Sequence, residues 1–246
     1  MIVLSAGMQK AGTGWYFNMT NDLVAACGGH DVRLVRSLFG LEDILKYHNC
    51  NLEKPDSDNL RRLQAAHEAG YSFVIKSHGG PVPYRPLICQ NILRATYIFR
   101  DPRDVALSAF DHGEKIRAQG QQHTFGSLKT VNDAVYFAGS LLSVWDAWQD
   151  TGQVFMIRYE DLIADTAGQL LGLADYLGLN PSAGMIDQIV SRYHPRSVKP
   201  DAHKTDYLHF NVGQAGRWKM LLGQKEADRC KEIFGDRLRR MGYLWE

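Results

Sequence analysis

Between the apolar run Ile2-Val3-Leu4 and the paired Gly28-Gly29 lies Gly7-Met-Gln-Lys-Ala-Gly12-Thr13-Gly14-Trp15, a glycine cluster that constrains this chain more than any other stretch. A strand, a glycine turn and a helix in succession aim backbone N–H groups and the helix N-terminus at one spot, which suits a phosphate or sulfate. The turn is not a triphosphate loop of the GxxxxGK[ST] kind. Its glycines are spaced for one, yet Thr13 holds the lysine position and the loop's lysine is Lys10. The hydroxyl that would follow that lysine and hold magnesium is out of place, so the anion nest stays and no metal ligand is expected. A plain strand-to-helix turn is the competing account, and it gives Lys10 no task.

Short apolar runs alternate with helical patterns along the rest of the 246 residues. This is the rhythm of an α/β fold: a P-loop-like parallel sheet flanked by helices on both faces, in a single domain over 1–246. Strands are expected near 2–6, 71–76, 95–99 and 154–158. Helices are expected over 14–26, 57–69 with Ser57 as cap, from Pro102 onward, and over 131–149, 160–177 and 224–241. Residues 36–55 lack periodicity and suggest a loop or lid, while the polar stretch 112–130 suggests a mobile segment.

The formal net charge of +1 argues against broad binding to nucleic acid or a membrane surface, so any basic site must be local. No run of about 18 apolar residues offers a membrane span. Cys27, Cys50, Cys89 and Cys230 are scattered and suggest reduced thiols of a cytoplasmic protein, and the opening apolar run leaves no room for a signal peptide.

A second basic centre, Lys76-Ser77-His78, closes an apolar strand, and strand C-terminal ends are where open α/β sheets place ligands. Residues two apart on an extended segment face one side, which pairs a fixed cation with a proton acceptor near neutral pH. Standing alone, the histidine would sooner be a satisfied loop residue. Arg100 ends another strand, and Ser108 follows eight residues later on a probable-helix pattern. A guanidinium and a hydroxyl there can hold a further phosphate, unless Arg100 is absorbed by Asp101 or Asp104.

Taken together, these blocks resemble the sulfotransferases that use 3′-phosphoadenosine 5′-phosphosulfate (PAPS). Lys10-Ala11-Gly12-Thr13-Gly14-Trp15 is similar to the family's 5′-phosphosulfate loop, and Tyr97 to Ser108 to its 3′-phosphate motif. Lys76-Ser77-His78 stands for its K-T-H, Arg158-Tyr159-Glu160-Asp161-Leu162 for its Tyr-Glu-Asp segment, and Gly213-Gln-Ala-Gly216-Arg217-Trp218-Lys219 for its late G-x-x-G-x-W-K. The five blocks keep family order over residues 4 to 219.

The resemblance implies transfer of a sulfuryl group from PAPS to a hydroxyl of a small-molecule acceptor, with adenosine 3′,5′-bisphosphate as product. It implies His78 as general base, with Lys10 and Lys76 stabilising charge. Trp15 would stack on adenine with Tyr159 nearby, Arg100 and Ser108 would take the 3′-phosphate, and Gly213 and Gly216 would let the late loop approach closely. Two departures stand out. Asn211 and Val212 replace a usual Arg-Lys pair, with Arg217, Lys219 or Lys204 as possible substitutes, and Gly14 replaces a usual Thr or Ser.

Trp145 and Trp148 are expected in the core, His112 and His123 in a solvated loop, and Arg237, Arg239 and Arg240 on a solvated helix face. The alternatives are a P-loop kinase-like phosphotransferase, disfavoured by the missing GK[ST], and a non-catalytic nucleotide-binding module, disfavoured by the Lys76/His78 pair. Acceptor contacts are expected from 36–55, 79–90 and 112–130.

Overall fold

A computed structural model describes residues 1–194 and 214–245. Its strands are β1 (Ile2–Gly7), β2 (Leu45–Lys46), β3 (Asn51–Leu52), β4 (Phe73–Ser77), β5 (Leu93–Phe99) and β6 (Val154–Arg158). They form one sheet in the order β2-β3-β4-β1-β5-β6, parallel throughout except for the short β2–β3 hairpin. Every residue of β1 and β4 is buried, as continuous apolar strands covered on both faces must be.

Between and after the strands run α1 (Thr13–Ala26), α2 (Val32–Leu38), α3 (Ser57–Glu68), α4 (Arg85–Cys89), α5 (Pro102–Ala118), α6 (Val131–Ser140) and α7 (Leu142–Gln149). Then come α8 (Tyr159–Ala164), α9 (Thr166–Leu177), α10 (Ala183–Tyr193), α11 (Trp218–Leu221) and α12 (Gln224–Arg240). Trp145 and Trp148 are core residues, 2% and 0% exposed. Trp148 also donates from Nε1 to the Gly79 carbonyl at 2.9 Å, which ties the core to the loop after β4.

Several expected boundaries move for local reasons. Asp56, not Ser57, caps α3 by accepting from Asn59 N at 2.9 Å. The expected helix over 131–149 divides at Leu141, where the Ser140 hydroxyl turns back onto the Phe137 carbonyl and competes with the helical ladder. Its late counterpart divides at Asp165, whose non-helical backbone breaks the ladder and whose carboxylate caps α9 by accepting from Gly168 N at 2.9 Å.

The stretch 36–55 is no free lid: α2 and the β2–β3 hairpin occupy it, and Arg36 donates to the Tyr47 carbonyl at 2.6 Å. The stretch 112–130 carries secondary structure too. Helix α5 runs on to Ala118, a single 3-10 turn covers Thr124–Ser127, and Arg117 donates to the Gly126 and Leu128 carbonyls. Helix α10 carried no sequence expectation.

Strand β1 lies between β4 and β5, so the chain departs from it to one side and later crosses to the other. That switch opens a crevice beyond the strand C-termini. There Gly7 packs so closely that an added Cβ would lie 2.5 Å from Ile98 Cγ2 and 2.7 Å from Thr13 Cγ2. Gly7→Ala is expected to lower unfolding free energy by about 1–3 kcal/mol, the usual cost of overpacking. Denaturant titration checks this; an unchanged midpoint would show that β1 and β5 separate freely there.

Candidate active site

The turn after β1 is built as an anion nest. Lys10 (φ 68) and Gly12 (φ 78) both adopt left-handed backbone. A non-glycine residue rarely does so, and such strain concentrates at functional sites. No side chain caps α1, whose leading residues Thr13, Gly14 and Trp15 keep their N–H groups without intrahelical acceptors. Gly12 is required twice over, since a Cβ there would also lie 2.9 Å from the Tyr159 ring.

Beside the nest, β4 ends in the second basic centre. His78 hydrogen-bonds through Nδ1 to the Gly7 carbonyl at 2.7 Å. A carbonyl can only accept, so Nδ1 carries the hydrogen and Nε2 keeps its lone pair. Lys76 Nζ donates to that lone pair at 2.6 Å and reaches Asn51 Oδ1 at 3.4 Å. Asn51 pairs in register with Lys76 across the β3–β4 ladder, a contact no sequence motif announced. Burial, followed by the neighbouring Lys76 charge, holds His78 down to about 3. The expected near-neutral titration is therefore absent, and His78 is a neutral imidazole at physiological pH.

The third centre lies at the end of β5. Arg100, 7% exposed, pairs with Asp104 at 3.3 Å, donates to the Gln214 carbonyl at 2.5 Å and sits 4.7 Å over the Tyr159 ring. The ion pair does not exhaust it: Arg100 Nε is buried without a hydrogen-bond partner.

A cleft of about 890 Å³ joins these centres. Lys10, Gly12, Thr13, Gly14 and Trp15 line it, with Lys76 and His78, Arg100 and Ser108, and Tyr159. Ala11 is buried behind the loop. Trp15 is itself mostly buried, edge-on to Tyr159 and pinned through Nε1 to the Tyr193 carbonyl of α10 at 3.0 Å. Gly216 lies outside the lining, its N–H donating to Asp104. Gly213, like Lys204, Asn211 and Val212, lies outside the described residues. Of the suggested replacements for the Arg-Lys pair, Arg217 lines the cleft and pairs with Asp111 at 2.9 Å, whereas Lys219 lies over Trp218.

Opposite the nest stand His112, His123, Phe125 and Phe137. His112 meets Phe125 edge-on at 5.1 Å, and His123 stacks on it at 5.3 Å. His112 is thus a half-buried residue of α5 and no loop residue, whereas His123 is exposed as expected, and both line the cleft. The basic cluster on α12 lies on an exposed helix face as expected: Arg237, Arg239 and Arg240 are all exposed, and Arg237 and Arg240 both reach Asp146, at 2.6 and 3.1 Å. The cleft is also lined by His48 and Asn49 of the β2–β3 turn and by Asn51 at the start of β3, and in that turn Tyr47 (φ 61) and Cys50 (φ 48) are also left-handed.

Residues 2–242 match the sulfotransferase domain family, and the chain belongs to it. Among known proteins it is similar to cytosolic sulfotransferase 10 of Arabidopsis thaliana, 24% identical, with 98% of this chain and 79% of that one aligned. It is also similar to the amine sulfotransferase of Oryctolagus cuniculus, 21% identical over 83% of this chain and 71% of the relative. The fold matches mouse sulfotransferase SULT7A1 complexed with PAP, with TM-score 0.63, 18% identity and 98% and 84% coverage. Retinol dehydratase in complex with retinol and PAP follows closely: TM-score 0.61, 18% identity, 100% and 83% coverage.

Burial lowers Lys76 to about 7, and burial with the nearby Lys115 charge lowers Lys10 to about 8. An anion seated between them raises both values, so binding takes up protons and weakens as pH rises through about 7 to 8. Calorimetry with adenosine 3′,5′-bisphosphate near pH 8 should show a heat that depends on buffer ionisation, reporting proton uptake. A heat independent of buffer would mean that neither lysine meets the anion.

Proposed function

We propose that this sulfotransferase moves a sulfuryl group from PAPS to the hydroxyl of a small-molecule acceptor, with His78 as general base. The observation that carries this reading is the orientation of His78. Its Nδ1–H is committed to the Gly7 carbonyl, at the foot of the anion nest, and its lone pair faces Lys76 within the cleft.

The residues present fit the donor. The buried, unpartnered Arg100 Nε supplies a donor awaiting an acceptor, and the left-handed turn at Lys10 and Gly12 with an uncapped α1 supplies converging N–H groups. Lys10, Gly12, Thr13 and Gly14 would hold the phosphosulfate end. Arg100 and Ser108 would hold the 3′-phosphate, with Trp15 and Tyr159 beside the adenine. When bound, the donor supplies an electrophilic sulfur on a phosphate leaving group. Gly213 belongs to the same proposed set.

Within this frame His78 Nε2 takes the acceptor hydroxyl proton as the oxygen attacks. General-base help of this kind contributes about 10²–10⁴ in rate. A pKa near 3 makes a weak base, and its second cause is the Lys76 charge. Lys76 leaving the imidazole for an anion frees the lone pair and removes the immediate contact between the two. Lys10 and Lys76 then face charge growing on the sulfuryl and leaving oxygens, in a site where burial strengthens each interaction.

His78→Ala is expected to lose about 10²–10⁴-fold in turnover, the range for a general base, while adenosine 3′,5′-bisphosphate still raises the melting temperature without magnesium. Near-normal turnover would make another group the base. A melting temperature raised by ATP with magnesium but not by the bisphosphate would overturn the donor.

A further inference from the structure

Asp104 stands four residues after Arg100 on α5, is 1% exposed, and holds three donors at once. Its Oδ2 accepts from Gly216 N at 2.6 Å and from Arg100 Nη2 at 3.3 Å, and its Oδ1 accepts from Trp218 N at 3.0 Å. Arg100 in turn donates to the Gln214 carbonyl. One buried carboxylate thus spans the strand-end guanidinium and the backbone of 214–218, more than a hundred residues away in the chain. The same segment is held from its far side by Arg103, whose guanidinium lies 3.5 Å over the Trp218 ring and forms a paired bridge to Asp101.

A carboxylate suits this place because it is acceptor-only, so it can serve two peptide N–H groups and a guanidinium together. Serine or asparagine there could not. Its charge also offsets Arg100 while leaving Arg100 Nε unpartnered. We infer that Asp104 is a positioning residue for the nucleotide: it clamps 214–218 onto the Arg100 side of the cleft, so that the guanidinium, itself held by the Gln214 carbonyl, and Arg217 meet the ligand as one preformed unit. The inference rests on the PAPS reading for the ligand, whereas the clamp itself belongs to the free protein.

Two measurements on the full chain test it. In the free protein, residue-resolved hydrogen exchange should show Gly216 and Trp218 amides protected, and Asp104→Asn should release both. Fast exchange of these amides in the unaltered protein overturns the clamp whether or not any variant folds. Calorimetry with adenosine 3′,5′-bisphosphate should then show Asp104→Asn losing about 10- to 100-fold in affinity, as expected for buried charge-assisted hydrogen bonds.

Asp104 acts through Arg100 and the 214–218 backbone, so the Arg100→Ala/Asp104→Asn double variant should bind more tightly than the two single losses multiplied together predict. Losses that multiply fully would mean independent roles and overturn the positioning role, as would affinity within twofold of the parent in Asp104→Asn. A parent protein that binds no bisphosphate at all would instead sink the donor reading, and the exchange result would still decide the clamp.

Discussion

The hydrogen bond from His78 Nδ1 to the Gly7 carbonyl joins the ends of two neighbouring parallel strands, and the chemistry of the site depends on it. It fixes one tautomer, aims the remaining lone pair at Lys76, and does so where β1 stops being a strand and becomes the anion turn. Gly7 can offer that carbonyl only because β5 and Thr13 close in on it without a side chain between them. His78, the proposed base, and the turn after β1 are therefore one construction. Moving either strand end by a residue would turn the imidazole away from the loop, since adjacent strand residues face opposite sides.

Electrostatics explain why net charge says little about this protein. Lys10, Lys76, Arg100 and Arg217 line one cleft in a chain whose formal charge is +1. Two of the four are compensated by buried or half-buried carboxylates, Arg100 by Asp104 and Arg217 by Asp111. The two lysines are handled differently: burial weakens their hold on a proton, to about 7 and about 8. The guanidinium sites are thus preset by their carboxylates, while the lysine sites would gain full charge on meeting the proposed anion. A binding site of this kind tolerates standing without its ligand better than four bare cations would.

How much of this was legible follows from the range of each contact. The strand–turn–helix at Gly7 to Trp15 is local, and its residues carried both the fold class and the anion site. Lys76, His78 and Arg100 were legible because strand ends in a parallel sheet share one edge, and Ser108 because it follows Arg100 within one motif on α5. Asp104 lay inside the same motif, and its spacing from Arg100 pointed to an ion pair, but the amides of Gly216 and Trp218 that it also holds come from far along the chain. Asn51 was hidden for a like reason, because its partner depends on the register of a two-residue strand. The histidine pKa was out of reach for another cause: sequence gives the residue type, while burial and a 2.6 Å lysine set the value.

The two halves of the cleft differ in the same way, and that difference bears on what the enzyme can select. The half that would hold the donor is drawn from motifs at the ends of β1, β4 and β5, so it reads from the sequence as blocks. The facing half is assembled from the strained β2–β3 turn, with His48, Asn49 and Asn51, and from the His112, His123, Phe125 and Phe137 rings. Neither wall is a periodic or spaced pattern. Asn51 nevertheless touches Lys76, and Lys10 Nζ lies 5.2 Å over the Phe125 ring. These walls are thus in contact with the lysines proposed to stabilise transfer. On the proposed reading, selection of the acceptor and placement of the charges that act on it would be set by the same side chains, so that a change on either wall would be felt at the reacting centre.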